Sequence, residues 1–256
     1  MSKFIKSIVS IFLISNMIMI PINAEAETHY SNWNDISNYI YTQLNQREEN
    51  ISFVFSGDKN NFSQNISEAI TNAYSKDDYL ERSWIEIIPK ASATEDGIKT
   101  EIKISYLTSK TEEQFIEEEL KKIINLIIKD DMTEYQKVRA INDYLVKRYE
   151  YDYTLKSSSA YSALSTNHAI CQGYSMTAYK LFKYANIESK IVIGTSGNQS
   201  HSWNIVKINN CWYHLDITNN DSTSSDKYFL KSDDWLKSNN YKWDTSNYPA
   251  ALKNYI

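Results

Sequence analysis

Apolar residues recur along the first part of the chain at two spacings. Trp33, Ile36, Ile40 and Leu44 follow each other three or four residues apart, which predicts an amphipathic helix. Short apolar runs bounded by Gly or Pro predict strands over residues 51–55, 84–88 and 98–106, and helical spacing returns at 112–129. We therefore expect residues 27–130 to form a small α+β domain, which contains no chemical motif.

The second part begins with a helix whose start is marked by a capping residue. Thr133 is a good N-cap, Glu134 lies at the positive end of the helix dipole, and the helical pattern continues to Arg148. We expect residues 131–256 to form the second domain. Every residue with candidate chemistry lies in it.

A second helix is predicted to begin at Cys171, because Tyr174 and Ala178 continue a helical spacing from there. The free N–H groups and the dipole at a helix N-terminus favour the thiolate, which is the nucleophilic form of a Cys. The backbone N–H groups of Cys171 and Gln172 could hold an oxyanion, and Gly173 would leave room for a substrate carbonyl. An inert, buried Cys that opens a core helix explains the segment equally well.

Two strand-like runs, 201–208 and 211–217, flank Asn209-Asn210. Asn tolerates positive φ, so this pair predicts a two-residue type I′ hairpin. The side chains that would then share one face of the sheet are His201, Trp203, His214 and Asp216. His201 and Asp216 are diagonal neighbours on that face, where the carboxylate could orient the imidazole beside a nucleophile.

The chain contains two Cys residues. An even count in an exported protein indicates by default a disulfide, here between Cys171 and Cys211. The predicted register disfavours this bond, because it puts Cys211 on the opposite face from His201. A three-residue turn would flip one strand and reverse that placement.

Four short motifs, in this order, resemble the core of the transglutaminase-like superfamily in its bacterial secreted branch. They are Tyr161-Ser-Ala-Leu164, Cys171-Gln-Gly-Tyr174, His201-Ser-Trp-Asn204 and Trp212-Tyr-His-Leu-Asp216. The resemblance covers residues 133–228 and implies a papain-like α+β core, in which a helix bearing a Cys packs on an antiparallel sheet. It also implies a catalytic triad of Cys171 as nucleophile, His201 as base and Asp216 as the residue that orients the base.

Two positions depart from the pattern of that family. Ser202 replaces the small Ala that is common between the His and the Trp, which is a mild change. Asn219 stands where many members have an aromatic residue shortly after the Asp, which affects substrate recognition more than the triad.

Other residues have alternative interpretations. His214 would share the face of the triad and is the rival base to His201, although it lies further along the hairpin. His168 is expected in a loop. Trp203 could form the wall of a cleft over the thiol, although packing within the sheet is the preferred interpretation. Residues 219–226 are expected to form a polar loop.

The sequence indicates no cofactor, no metal site and no nucleic-acid partner. The CxxC and HExxH patterns of zinc proteins are absent, and the polar loop lacks the spacing and the Gly of an EF-hand. The chain is acidic and has no Lys or Arg cluster that would bind phosphates.

The N-terminus has the pattern of a secretory signal peptide: Lys3 and Lys6 precede an apolar run that ends in Ala24-Glu25-Ala26. The run is short for a membrane span, which needs about 20 apolar residues, so we expect cleavage after Ala26 rather than an anchor. Cleavage removes two Lys and one Glu from 27 basic and 32 acidic residues, which leaves a formal charge of −6. The mature protein is then secreted or held at the cell surface, without a membrane span.

These features predict a cysteine-nucleophile acyl-transfer enzyme that acts on amide bonds in a protein or peptide, such as a cell-wall or surface component. The thioester on Cys171 would pass to water in a protease or amidase, and to a Lys amine in a cross-linking transglutaminase. The same triad serves both, and hydrolysis is preferred because no acceptor-amine site is evident. The alternative from another class is a surface binding module with an inactive triad, which the presence of all three residues disfavours.

Overall fold

The computed structural model describes residues 28–256 and the two-residue strand Ser7–Ile8. The expected signal peptide, residues 1–26, lies outside the described residues except for that strand. The chain divides into two compact units, with the boundary after Lys110. None of the described helices combines the length and the apolar character that crossing a membrane requires.

The first unit is an α+β domain built on a five-stranded sheet. Its elements are β1 (Ser7–Ile8), β2 (His29–Tyr30), α1 (Trp33–Asn45), β3 (Asn50–Phe55), α2 (Phe62–Tyr74), α3 (Asp78–Ser83), β4 (Trp84–Ala93) and β5 (Ile98–Tyr106). The strand order is β1-β4-β5-β3-β2, with antiparallel pairs in the centre and a parallel pair at each edge. Apolar side chains from α1, α2 and the sheet form its core.

The second unit contains a four-stranded antiparallel sheet in the order β10-β9-β8-β11. Its elements are α4 (Lys110–Ile127), α5 (Glu134–Arg148), β6 (Glu150–Tyr151), α6 (Ala160–Thr166), β7 (His168–Ala169), α7 (Cys171–Tyr184), β8 (Ser189–Ser196), β9 (Gln199–Ile208), β10 (Cys211–Leu215), α8 (Ile217–Ser222), α9 (Asp233–Ser238) and β11 (Tyr241–Trp243). Strands β6 and β7 form a separate parallel pair. Thr133 caps α5 as predicted, in a capping box with Gln136.

Helix α4 packs within the second unit, whereas the sequence pattern predicts it in the first domain. Glu117 of α4 binds Lys180 and Tyr184 of α7. Phe115 meets Tyr161 of α6 edge-on, with 5.4 Å between the ring centroids. The boundary between the units therefore falls near the start of α4 and not at residue 130. The sequence does not reveal this, because the apolar face of a helix has the same spacing whichever neighbour it covers.

Helix α7 packs on the face of the sheet that carries Ser202 and Asn204. Ser202 Oγ lies 3.0 Å from Ser175 Oγ, and Asn204 Nδ2 donates to the Ser175 carbonyl oxygen at 3.1 Å. A helix with a Cys at its N-terminus thus lies on an antiparallel sheet. This arrangement confirms the fold class that the resemblance implies.

The opposite face of the same sheet is covered by the C-terminal part of the chain. Trp203 and Ile205 of β9 are buried there against Leu236 of α9, Tyr241 of β11 and Ala251. Because both faces are covered, the centre of β9 is an unbroken buried run rather than an alternating one.

The hairpin between β9 and β10 has the predicted two-residue turn. Asn209 and Asn210 have φ angles of 49° and 60°, as a type I′ turn requires. Ile208 pairs with Cys211, so the predicted register is confirmed. Strand β10 ends at Leu215, two residues earlier than expected.

Both thiols are free, so the disulfide interpretation is wrong. Cys211 lies at the turn of the hairpin, whereas Cys171 meets β9 near its other end, at Ser202. About six residues of strand separate these two places, or roughly 20 Å at 3.3 Å per residue. Since α7 packs on the face that also carries Cys211, distance along the strands separates the thiols, and not the opposite faces that the sequence suggested.

We expect the purified chain to contain two free thiols. Denatured without reductant and treated with iodoacetamide, it should gain two carbamidomethyl groups by mass spectrometry, because sulfurs this far apart cannot bond. The Cys211→Ser variant should gain one. If alkylation required a reductant, the placement of the two Cys residues would be contradicted.

Candidate active site

Three elements of the second unit bring Cys171, His201 and Asp216 together. Cys171 is the first residue of α7, His201 lies near the start of β9, and Asp216 directly follows β10. His201 Nε2 is 2.7 Å from Asp216 Oδ2, and the imidazole also forms a hydrogen bond with the Cys171 thiol. Because Nε2 is occupied by the carboxylate, Nδ1 is the ring nitrogen available to the sulfur.

Asp216 is buried, and its carboxylate accepts hydrogen bonds from three residues. Oδ1 accepts from the Asn219 backbone N–H at 3.0 Å, which makes Asp216 the N-cap of α8. Oδ2 accepts from Asn219 Nδ2 at 2.8 Å and from the Tyr241 hydroxyl at 2.6 Å, besides His201. Burial raises the pKa of this carboxyl, but the positive charge and hydrogen bond of His201 and the bond from Tyr241 lower it by more. The carboxylate is therefore ionised and fixed in orientation.

Tyr241 is a site residue that the sequence analysis missed, and Asn219 has a different place from the one expected. Asn219 holds the buried carboxylate, and it lies in helix α8 rather than in the predicted polar loop. An Asp followed three residues later by a polar residue could have indicated this cap. Tyr241 belongs to a three-residue strand whose sequence has no periodicity, so no local pattern connects it with Asp216.

The thiol and the imidazole have pKa values displaced in opposite directions. Burial raises the pKa of Cys171, yet that pKa lies below its ordinary value, because the hydrogen bond and charge of His201 and hydrogen bonds from Ser202 outweigh burial. Burial lowers the pKa of His201, but Asp216 and Cys171 raise it to about 10. Both shifts favour a thiolate beside an imidazolium over a neutral thiol beside a neutral imidazole.

Ser202 contacts the nucleophile directly, although the sequence suggested only a mild departure from the family. It is buried, and both its hydroxyl and its backbone form hydrogen bonds with the Cys171 sulfur. The hydroxyl also lies 3.0 Å from Ser175 Oγ, one helical turn after Cys171. An Ala at this position would keep the backbone contact and lose the hydroxyl.

The first turn of α7 has no side-chain cap. Ile170 occupies the N-cap, and the Tyr174 N–H donates to its carbonyl oxygen at 3.2 Å. The N–H groups of Cys171 and Gln172, which the sequence indicates as groups that could hold an oxyanion, therefore have no acceptor within the helix.

Gly173 does not open the site to substrate. It is buried, and a Cβ atom there would lie 3.1 Å from both the Ser157 carbonyl oxygen and the Ala169 Cβ. Its small size instead lets the segment before α6 pack against the first turn of α7.

His214 lies on the predicted face but is buried among other partners. Its Nδ1 accepts from Trp203 Nε1 at 2.9 Å, and its Nε2 is 2.8 Å from Asp233 Oδ1, so neither ring nitrogen is left for the thiol. Trp203 is 1% exposed, which identifies it as a packing residue and not the wall of an open cleft. His168 is an exposed residue of strand β7, not of a loop, and lies 3.6 Å from Glu150.

Residues 121–217 match the family model of the Transglutaminase-like superfamily. The match begins within α4, includes Cys171, His201 and Asp216, and ends at the first residue of α8. No curated protein matches the chain.

Solved structures that are similar to the chain include the following three. A candidate cysteine protease from Cytophaga hutchinsonii is 16% identical with a TM-score of 0.35, over 49% of this chain and 55% of that one. A TGase is 13% identical with a TM-score of 0.36, over 75% and 59%. A candidate protease from Parabacteroides distasonis is 8% identical with a TM-score of 0.31, over 51% and 39%. The chain thus spans less than two thirds of the length of each.

The contact of Ser202 with the sulfur generates a test that needs no substrate. Replacing Ser202 by Ala removes a hydrogen bond that lowers the pKa of the Cys171 thiol, so that pKa should rise. At pH 5 to 6, alkylation of Cys171 should slow on the order of fivefold, and it should reach the wild-type rate only at higher pH. The measurement is the rate of iodoacetamide labelling against pH, in a Cys211→Ser background.

Ser200→Ala is the matched control, because Ser200 is exposed on the same strand. It should leave the labelling profile unchanged. Identical profiles for the Ser202→Ala variant and the parent would contradict a role for the hydroxyl.

Proposed function

We propose that this chain, whose residues 121–217 belong to the transglutaminase-like superfamily, is a cysteine-dependent enzyme that hydrolyses amide bonds in proteins or peptides. The observation that carries the proposal is the hydrogen-bonded series from Cys171 through His201 to Asp216. Its electrostatics favour a thiolate and an imidazolium before any substrate arrives, which is what a thiol needs to act as a nucleophile near neutral pH.

The first step is attack of the Cys171 thiolate on the amide carbonyl carbon. A C–S bond forms, and the carbonyl π electrons move to the oxygen, which becomes an oxyanion. The N–H groups of Cys171 and Gln172 are directed away from the helix and can donate to that oxygen. The helix dipole of α7 favours negative charge at the same place.

The second step breaks the C–N bond. His201, protonated in the resting state, donates its proton to the departing nitrogen, and the oxyanion electrons re-form the carbonyl of a thioester. Asp216 keeps the imidazole in place through its bond to Nε2, which is why the proton that leaves is the one on the side of the sulfur.

The third step returns the enzyme to its resting state. The neutral His201 removes a proton from water while the water oxygen attacks the thioester carbon. Collapse of the second oxyanion breaks the C–S bond, releases the carboxylic acid and regenerates the thiolate beside the imidazolium.

A surface binding module with an inactive triad would not need this arrangement. A buried carboxylate is costly unless several partners compensate it, and here His201, Asn219 and Tyr241 all do so. The presence of a buried, fully hydrogen-bonded carboxylate beside a free thiol therefore supports an enzyme over a binding module.

The N-terminal pattern supports a location outside the cell. We propose that residues 1–26 direct export and are removed, and that the substrate is a cell-wall peptide or a surface protein. The thiol of Cys171 would remain free there, because Cys211 is too far away to form a disulfide with it.

The test is a panel of peptide and glutamine-amide substrates, supplied to the wild type, Cys171→Ala and Cys211→Ala. Turnover should be lost by a factor on the order of 10³ or more in Cys171→Ala, because the step that forms the thioester is removed. It should persist in Cys211→Ala, which is the same substitution far from the site. The proposal fails if no substrate is turned over, or if Cys171→Ala is as active as the wild type.

Transfer of the thioester to an amine is the second candidate outcome, and one surface favours it. Glu150, Tyr151, Tyr153 and Asp221 line a pocket of the second unit. Tyr151 pairs with Ala169, two residues before Cys171, and burial and then the negative charge of Cys171 raise the pKa of its hydroxyl. One wall of the pocket therefore lies near the thiol. Carboxylates and the faces of aromatic rings are the groups that attract an ammonium ion.

A competition between water and amine separates the two outcomes. With a Lys-containing peptide as acceptor, transamidation should appear as a new amide bond by mass spectrometry. In the double variant Glu150→Gln/Asp221→Asn, the KM for the amine should then be several-fold higher, because two negative charges are lost. The KM for the donor amide should be unchanged. If the wild type incorporates no amine, hydrolysis is the reaction.

A further inference from the structure

A second His–Asp pair lies behind the imidazole of His201. Trp203 Nε1 donates to His214 Nδ1 at 2.9 Å, and His214 Nε2 lies 2.8 Å from Asp233 Oδ1. His214 is 0% exposed and Trp203 is 1% exposed. The three side chains therefore form a continuous series of hydrogen bonds that begins next to the catalytic site and ends at the start of α9.

The partners of His214 fix its tautomer. An indole N–H can only donate, so His214 Nδ1 must be an acceptor without a proton. Nε2 then carries the proton and donates it to the carboxylate of Asp233. Burial lowers the pKa of His214, Asp233 opposes this to a smaller extent, and Lys237 adds to the lowering, which is consistent with a neutral ring.

Trp203 connects this pair to His201. The rings of Trp203 and His201 are nearly parallel, with an interplanar angle of 20° and 5.9 Å between centroids. Tyr241 lies edge-on to Trp203 at 5.2 Å and to His201 at 6.0 Å, and its hydroxyl binds Asp216. Two aromatic rings, those of Trp203 and Tyr241, thus pack against the imidazole of His201. Each of them is fixed by a hydrogen bond from its own polar group, to His214 and to Asp216 respectively.

Asp233 is itself held from two directions. Its Oδ1 accepts from the Ala251 N–H at 3.1 Å, and its own N–H donates to the Ala251 carbonyl oxygen at 2.8 Å. It lies outside the segment 121–217 that matches the family model. The support of the imidazole therefore depends on a part of the chain that the family motifs do not include.

We propose that His214 and Asp233 are positioning residues of the active site. They fix the indole of Trp203 at its N–H. The indole in turn holds His201 in the orientation that reaches Cys171 and Asp216 at once. This inference rests on the proposed role of His201, and it makes His214 a support of the base and not a second base.

A purely structural role makes a different prediction. If His214 only satisfies a buried indole N–H, its loss lowers the stability of the domain and leaves the folded site unchanged. If it orients His201 through Trp203, its loss also weakens the contact between imidazole and thiol. The two cases differ in the pH dependence of Cys171 alkylation, measured at a temperature at which every variant is folded.

The experiment compares His214→Asn with His214→Leu, both in the Cys211→Ser background. Asn places an oxygen where Nδ1 was and can still accept from Trp203, whereas Leu has a similar volume and no acceptor. At pH 6, iodoacetamide labelling of Cys171 should slow on the order of tenfold in His214→Leu and stay within about twofold of the parent in His214→Asn. Thermal unfolding of each variant supplies the separate readout of stability.

A second pair of variants covers the case in which His214→Leu does not fold. Asp233 has a partly exposed side chain, and Asp233→Asn keeps an oxygen that can accept from His214 and from the Ala251 N–H. Asp233→Ala removes that acceptor, so no carboxylate holds the proton of His214 on Nε2. Labelling at pH 6 should slow several-fold in Asp233→Ala and remain close to the parent in Asp233→Asn.

The outcomes separate the inference from the proposed function. Slow labelling confined to the Leu and Ala variants supports the positioning role. Parental labelling in both of them, at whatever stability, overturns it, as does equal slowing in the Asn and Leu variants of His214. If the parent itself shows no labelling of Cys171 at pH 6, the thiolate of the proposed function is absent, and the positioning role fails with it.

Discussion

The carboxylate of Asp216 is ionised inside the protein, and the arrangement around it follows from that constraint. A buried charge without partners costs several kcal/mol, so a fold that keeps one must surround it with donors and an opposite charge. His201 supplies the charge, and Asn219 and Tyr241 supply the other donors. The same carboxylate raises the pKa of the imidazole, and the imidazolium then lowers the pKa of the Cys171 thiol. The reactivity proposed for the thiol thus originates at Asp216, which acts on Cys171 through His201.

The donors come from parts of the chain that are distant in sequence. Asn219 belongs to the helix that Asp216 caps, whereas Tyr241 lies on β11, at the far edge of the sheet from β10. The C-terminal segment therefore does more than close the core. It provides one hydrogen bond to the orienting carboxylate and, through Asp233 and His214, a second route by which the position of His201 is set.

The sequence predicted the parts of the site that depend on local geometry. A two-residue Asn-Asn turn fixes the register of a hairpin by itself, so the nearness of His201 and Asp216 could be derived from spacing alone. Helical periodicity likewise placed Cys171 at the start of α7. In both cases the residues that decide the geometry are adjacent in the chain.

Long-range packing decided the parts that the sequence missed. Helix α7 packs on the face of β9 that carries Ser202, and His201 points to the opposite face. The Cys171 sulfur, at the first residue of that helix, nevertheless forms hydrogen bonds with both residues. Alternation along a strand cannot predict that one group contacts successive residues. The partner of α4 and the pairing of β11 depend on contacts of the same long-range kind.

The protonation state of His201 at rest most directly tests whether Asp216 activates the Cys171 thiol through the imidazole. Nitrogen-15 NMR of the wild type, labelled at His, reports whether one or both ring nitrogens carry a proton. We predict an imidazolium for His201 at pH 7, and a lower pKa for that ring in Cys171→Ser, whose hydroxyl carries no charge. A neutral His201 at pH 7 in the wild type would contradict the thiolate–imidazolium pair, and with it the proposed chemistry.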